Sequence, residues 1–540
     1  MRVRLIAVVA FLLFLDNLPS RAQNDSLSFH SDLYFLSANQ NFQPQWQISN
    51  RYGIFDKSKQ NEFLGLFGLA YQTKFGKKFK LEAEIEFNLK PEISTSYFQQ
   101  VYFNFYYRSL QFKIGKEAYT ISQYSEDLSS GSFFLSNNAR PLPRIGIGFY
   151  NYTPVPLIDN YLEFKGLINF GIFNDDRSEF NGTNQPMFHE KILYFRSKGL
   201  PLNIHAGLNH SAQFGGTLPN GRKIETDLIA TFLGKSGGEE ETNVAGAHFG
   251  LYDIGANWKY RIHTFQFYFQ KPFSDGSGKN LRSKDKIVGL LYYSSKMGII
   301  TSINYEYINT THQTGKGTPD PIVNGKLIIP YQIEDFDKYM LENFDTVTVG
   351  MTSKEFSKYL SDKYNYGYVF GGRDDHYNNG LYNMGLSYQN QSIGTSLFLT
   401  KQTMKLIDSD FNGLYDLFFV SNRIIAHHLA FDGFFNNNFS YRTKLTYSIN
   451  HGSYAGANKG RYNWASIEDP EYYNSYYFKD GLKQAYTFFE VKFTPFKDKG
   501  AQFSSSIAYD FGEMYHNFGV LFGFHYHGFF KLKNTSKSKH

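Results

Sequence analysis

The residue groups that could carry chemistry are few and point to binding more than to reaction. Asp408, Asp410, Asn412, Gly413 and Asp416 stand in the spacing D-x-D-x-N-G-x-x-D. Alternating oxygen donors before a glycine turn are the opening of a calcium loop, and calcium is the one cofactor the sequence raises. The twelfth position, where a bidentate glutamate belongs, is Phe419, and Asp, Asn and Gly are equally the residues of a polar turn. His427 and His428 are adjacent, so on a strand they face opposite sides and cannot share an ion; His189 and Glu190 fail in the same way. His525 and His527 would share a face, one turned toward water. A glycosidase needs two carboxylates across a cleft, and neither Asp374-Asp375 nor Glu239-Glu240-Glu241 comes with one. The absence of cysteine excludes thiol nucleophiles, disulfides and cysteine-based metal sites. The chain reads as a non-enzyme.

Two polar sets suit recognition of hydroxyls and anions. Asn137, Asn138, Arg140 and Arg144 lie on a stretch stiffened by Pro141 and Pro143. Arg373, Asp374, Asp375 and His376 form the second. Asn and Asp bond hydroxyl groups, and Arg grips carboxylates with two parallel hydrogen bonds. Each set also has a plain structural reading: Arg140 pairing with Glu82, Glu84 or Glu86, and residues 373–376 as a solvated loop.

The elements that must position these residues follow from composition and alternation. The 540 residues are 19% aromatic and only 19% charged, yet mean hydropathy is −0.42. That combination suits strands with one apolar and one polar face. Lys80 to Leu89 alternates strictly: Leu81, Ala83, Ile85, Phe87 and Leu89 against Lys80, Glu82, Glu84, Glu86 and Asn88. Residues 100–108, 202–209, 265–270, 443–450 and 489–494 repeat the pattern. Runs of this kind reach the roughly 9–11 residues that a tilted strand needs to cross a bilayer. Val520, Phe522, Phe524, Tyr526 and Phe530 share one face of a last aromatic strand. The expectation is an all-β transmembrane antiparallel barrel of the outer membrane with 16 to 20 strands over residues 46–530, its outer face against lipid.

Residues 1–22 read as a signal peptide: Arg2 and Arg4, an apolar run from Leu5 to Leu15, and small residues before a cleavage point at Gln23. Residues 23–45 are expected to be a short periplasmic segment and 531–540 a basic tail. The net charge of +6 lies in the leader and in Lys531, Lys533, Lys537 and Lys539, while the body balances. No basic stripe calls for nucleic acid. An insertion over about 315–378 holds a helical pattern: Thr352 and Glu355 make a capping box, followed by Phe356, Tyr359, Leu360 and Lys363. It could rest on the surface or constrict the barrel mouth.

Seven strings, in order between residues 131 and 428, carry a family resemblance. They are Gly131-Ser132-Phe133-Phe134-Leu135-Ser136-Asn137-Asn138-Ala139-Arg140-Pro141-Leu142-Pro143-Arg144, Phe188-His189-Glu190-Lys191, the run from His205 to Gly216, His248 to Asp253, Tyr268 to Gly278, Gly371 to Asn379, and Asn422 to His428. They resemble the capsule assembly Wzi family in its wider bacterial branch. The resemblance implies an outer-membrane barrel, about 18-stranded, that tethers exported capsular polysaccharide at the cell surface of a Gram-negative bacterium, without a catalytic step. It implies the polysaccharide, outer-membrane lipid and a polysaccharide exporter as partners, and it makes Asn137, Asn138, Arg140, Arg144, Arg373, Asp374, Asp375 and His376 the candidate polysaccharide-binding residues. Residues 23–45 depart from the family pattern, being too short for the periplasmic helical bundle of other members. A porin conducting small solutes is the competing function.

Overall fold

A computed structural model describes residues 26–225, 227–235, 245–274, 284–313, 322–323, 326–327, 375–411, 417–457, 474–496 and 500–530. Eighteen strands form a single antiparallel sheet that closes on itself. The first nine are β1 (Ser26–Ala38), β2 (Asn61–Phe75), β3 (Phe79–Leu89), β4 (Tyr97–Tyr107), β5 (Leu110–Lys116), β6 (Pro143–Pro154), β7 (Leu162–Ile172), β8 (Met187–Ser197) and β9 (Leu202–Phe214). The others are β10 (Ala247–Tyr260), β11 (His263–Phe273), β12 (Lys286–Ser294), β13 (Ser302–Asn309), β14 (Ile424–Phe434), β15 (Phe439–Asn450), β16 (Leu482–Phe496), β17 (Ala501–Gly512) and β18 (Asn517–Phe530). Each strand pairs with the next in sequence, and β18 returns to β1 with Leu27 opposite Phe530. Closure removes both sheet edges, so the backbone bonds within the sheet, which is what a strand crossing hydrocarbon requires.

Side chains divide as the alternation demands. Phe35, Phe67, Ile147, Leu193, Leu290 and Phe522 are exposed on the outside, where lipid covers them. Asp32, Glu86, Asn104, Asn169, Glu306 and Gln484 are buried on the inside. His427 points outward and His428 inward, as adjacent strand residues must. Two outward polar residues of β8 are covered by a short helix, Leu228–Leu233: His189 Nε2 lies 3.2 Å from the Thr231 carbonyl, and Lys191 Nζ donates to that of Phe232. No helix among the described residues is long and apolar enough to cross a membrane.

The expected boundary at residue 46 is corrected. Ser26–Ala38, assigned by the sequence to a short periplasmic segment, is the strand that closes the barrel. Leu27, Phe29, Leu33 and Phe35 alternate with Ser28, His30, Asp32 and Tyr34, and without them β2 and β18 would each present an open edge. The leader 1–22, the tail 531–540 and the helical pattern at 352–363 lie outside the described residues.

Connections at the end holding Ser26 and Phe530 are short, for example 108–109 and 261–262, while most of those at the other end are longer. Three of the long ones enter the barrel, through residues 39–60, 117–142, and 375–411 with 417–423. Trp46, Leu128, Phe133, Phe134, Tyr377, Phe398 and Phe419 pack there as one buried cluster. The inward residues they meet include Phe188, Leu251, Tyr268, Ile308, Ala430 and Phe488, from strands around the wall. The hydrophobic core of this protein is thus a plug inside its own sheet.

Candidate functional site

Hydrogen bonds from wall to loop set the plug in place. A four-residue helix, α1 (Gln45–Ile48), sits against β14 to β18. The Gln45 backbone N–H donates to Asp510 Oδ2 at 2.7 Å, Trp46 Nε1 to Thr446 Oγ1 at 2.9 Å, and Gln47 Nε2 to the Val520 carbonyl at 2.6 Å. Glu306 of β13 accepts from Ser129 Oγ at 2.9 Å and from the Ser130 backbone at 2.8 Å. The Ser130 and Tyr268 hydroxyls also donate to it. His428 Nε2 lies 2.8 Å from the Leu128 carbonyl.

On top of this plug, at the long-loop end, lies a cavity of about 360 Å³. Four connections build it, the fourth through both a hairpin at 387–392 and a helix after it. Loop 39–60 brings Gln45, Asp56 and Lys57; loop 117–142 brings Asn138 and Arg140; loop 173–186 brings Asp176 and Glu179. Thr400, which caps a second helix, α2 (Lys401–Ile407), joins Gln402 and Thr403 in the wall. The hairpin pairs Ser387–Tyr388 with Gln391–Ser392. Its turn residues Gln389 and Asn390 both have positive φ, 53° and 62°, as a tight two-residue turn requires. Asp175 and Arg177 hold it from below: the Gln389 backbone donates to Asp175 Oδ2 at 3.0 Å, and Arg177 Nη2 donates to the Ser387 carbonyl at 2.7 Å. Asp175 and Arg177 are themselves paired at 3.0 Å. The result is a rim of amides from Gln389, Asn390, Gln391 and Gln402 beside two cations and three carboxylates.

The predicted polar residues separate into two that border the cavity, Arg140 and Asn138, and several held inside the protein. Arg140 lines the cavity, but its partners are the Gly53 carbonyl at 3.2 Å, Gln389 Oε1 at 3.2 Å and the ring of Tyr97, whose centroid is 3.6 Å from the guanidinium. The suggested pairing with Glu82, Glu84 or Glu86 does not occur: those carboxylates meet Lys80 and Tyr106, Tyr102, and His30 with Gln100. Asn137 is 3% exposed, with both ends of its amide engaged by Gln123 and the Glu126 carbonyl. Asn138 borders the cavity while its Nδ2 donates to the Ser392 carbonyl at 2.9 Å, tying the loop to the hairpin. Arg144 is buried in β6, donating to the Glu117 carbonyl at 2.8 Å and lying over Tyr119.

The second set is not a solvated loop where it is described. Asp375 and His376 are buried. Asn422 Nδ2 donates to Asp375 Oδ1 at 2.5 Å, and His376 lies 3.2 Å from Asp285 Oδ2 and 3.1 Å from Ser274 Oγ. Burial pushes the Asp375 carboxyl up to about 6 against that hydrogen bond. Asp285 moves the other way: burial is outweighed by His376 and by the His312 and Gln313 backbone N–H groups. Arg373 and Asp374 lie outside the described residues. In the calcium-like stretch, Asp408 ends α2 and its Oδ1 accepts from the Asp410 backbone at 3.0 Å, a local turn bond. Phe419 is fully buried in the plug, and Asn412 and Asp416 lie outside the described residues.

Lys57, Asp175, Arg177 and the 387–392 hairpin were not singled out by sequence reasoning. Tyr-Gln-Asn-Gln-Ser offered one local signal, an Asn at a tight turn. Burial lowers the Lys57 ammonium from its ordinary range to about 8, opposed by the charge of Asp510.

No protein-family model matches the chain, and comparison with curated proteins finds no match. Among solved structures, it is similar to Wzi of Escherichia coli, an outer-membrane protein involved in group 1 capsule assembly and described as a carbohydrate-binding β-barrel. The TM-score is 0.49 at 11% identity, covering 92% of this chain and 83% of that one. It is also similar to OprD of Pseudomonas aeruginosa (TM-score 0.44, 10% identity, 94% of this chain and 97% of that one). OccAB2 of Acinetobacter baumannii gives 0.45 at 12% identity, covering 95% of this chain and 100% of that one.

Proposed function

We propose that this outer-membrane barrel binds exported polysaccharide at its long-loop end and holds it at the cell surface during capsule assembly, without a catalytic step. The observation that carries the reading is the amide-rimmed cavity over a packed plug. Outer-membrane barrels keep short turns in the periplasm and long loops outside, which supports an outward-facing cavity. Amides and hydroxyls exchange hydrogen bonds with sugar hydroxyls, and Arg140 and Lys57 suit uronate carboxylates or other anionic substituents. The family resemblance of the 131–144 string, which supplies Asn138 and Arg140, agrees with the reading.

Deletion of the gene, followed by measurement of capsular polysaccharide in cell-bound and shed fractions, tests it. The expected result is a shift from the bound to the shed fraction, and unchanged retention would refute the capsule role. At the level of residues, Arg140→Ala and Gln391→Ala are each expected to weaken binding of capsular polysaccharide from the producing strain by roughly 5- to 30-fold, the effect of losing about 1–2 kcal/mol of polar contact. Microscale thermophoresis on the detergent-solubilised barrel reads this directly. If the polymer is anionic, affinity should also fall as pH rises from 7 to 9, because Lys57 loses its charge near 8, with Asp56 and Asp510 as its charged neighbours. Lys57→Gln should flatten that dependence. A porin would instead pass current through the wild-type chain in planar bilayers, and large open steps there would favour solute conduction.

A further inference from the structure

We propose that the barrel wall holds a binding site for a zinc-like divalent cation, formed by His30 of β1 with Glu84 and Glu86 of β3. One ligand atom from each side chain lies within 4.8 Å of the other two. The arrangement depends on a missing side chain. In the sheet register His30 stands opposite Gly68 of β2, and Gly68 opposite Glu86, so the three positions form one row across the inner wall. The ends of that row are two strand spacings apart, about 10 Å, which is too far for direct contact over a side chain in the middle. Gly68 leaves the middle empty, and the imidazole lies across it. A Cβ there would stand 1.9 Å from His30 Cε1 and 2.5 Å from Nδ1. The ring thereby brings Nε2 to 2.9 Å from Glu86 Oε2.

Glu84 precedes Glu86 by two residues and faces the same side. Outer partners orient both carboxylates: Tyr102 donates to Glu84 Oε2 at 2.8 Å and Gln100 Nε2 to Glu86 Oε1 at 3.3 Å. Such supporting bonds are what fix ligands around a metal. One imidazole and two carboxylates form a three-ligand set for Zn²⁺, with the fourth position left to water or another donor. The nitrogen favours zinc, nickel or cobalt over calcium and magnesium, which take oxygen. Two like charges beside each other in a wall backed by lipid repel strongly, and a divalent ion neutralises both. The neighbouring His525 is already committed, to Asp32 at 3.0 Å and Ser504 at 2.9 Å. The proposal is independent of the polysaccharide reading, since it concerns a different part of the wall.

The test uses the full, untagged chain in detergent, stripped with chelator and titrated with Co²⁺. Visible d–d absorption reports a low-symmetry site containing nitrogen. Wild-type protein is expected to take up one equivalent and release it to Zn²⁺. His30→Gln and Glu84→Gln should each weaken Co²⁺ at least about 100-fold, and Gly68→Ala, which keeps every ligand but displaces the ring, roughly 10- to 100-fold. His263→Gln should leave the titration unchanged. Heat-modifiable migration identifies folded barrels, and either ligand variant that folds is sufficient. A wild-type chain without the Co²⁺ spectrum overturns the proposal, as does a spectrum that persists unchanged in a folded His30→Gln or Glu84→Gln barrel.

Discussion

Glu306→Ala is expected to release the loop between β5 and β6 from the wall and open the lumen. Glu306 is 1% exposed, and its two oxygens accept from the Ser129 hydroxyl, the Ser130 backbone and hydroxyl, and Tyr268. Alanine leaves all of these donors buried without their charged acceptor. Each stranded donor costs about 1–3 kcal/mol, and breaking a buried charged network about 3–5 kcal/mol. The loss falls on loop docking, because the strand ladder of β12, β13 and β14 does not depend on this side chain. Amide hydrogen exchange should therefore quicken across residues 128–139 while the barrel strands stay protected. In planar bilayers the variant should show larger conductance steps than the wild type. Glu306→Gln, which keeps an acceptor of similar shape, should fall between the two. Unchanged exchange in 128–139 for a folded Glu306→Ala barrel would show that the aromatic packing of Phe133 and Phe134 holds the loop unaided.

Trp46→Ala should act with similar size on loop 39–60. Trp46 is 1% exposed, its ring centroid 5.0 Å from that of His428, with the Lys444 ammonium 5.0 Å from the ring and Nε1 bonded to Thr446. Truncating a buried Trp costs about 3–5 kcal/mol through lost burial and the cavity it leaves. Exchange should quicken over residues 42–55, and the cavity over the plug should suffer as well, because Gln45 and Lys57 belong to the same loop. Trp46→Phe refills most of the volume and should recover most of the protection. His428 touches both loops, through Trp46 and through the Leu128 carbonyl, so Trp46→Ala combined with Glu306→Ala should deviate from additivity.

These two residues also mark how far local sequence reading reaches. The run Lys80 to Leu89 shows its two faces within ten residues, because strand side chains alternate whatever lies far away in the chain. The same rule set His427 and His428 on opposite faces, and the fold turns His427 outward and His428 inward. It applied equally to Ser26–Ala38, where four serines among the outward and inward positions blur the contrast and conceal a strand. Only the need to pair the free edges of β2 and β18 identifies it.

By itself, then, the amino-acid sequence determined strands with one apolar and one polar face, long enough to cross a bilayer as a barrel, since side chains alternate with period two along a strand whatever lies elsewhere in the chain. The tertiary structure alone decided which polar residues border the cavity. Asn138 bonds to Ser392, 254 residues away, His376 meets Asp285 at a separation of 91, and Trp46 finds Thr446 at 400. The types Asn, Arg and His announce a capacity to hydrogen-bond, but whether a protein group or a sugar takes up that capacity depends on what the fold carries alongside. The inward folding of three loops consumed Asn137, Arg144, Asp375 and His376 as plug fastenings, and it left Arg140, Lys57 and the 387–392 hairpin around an open cavity.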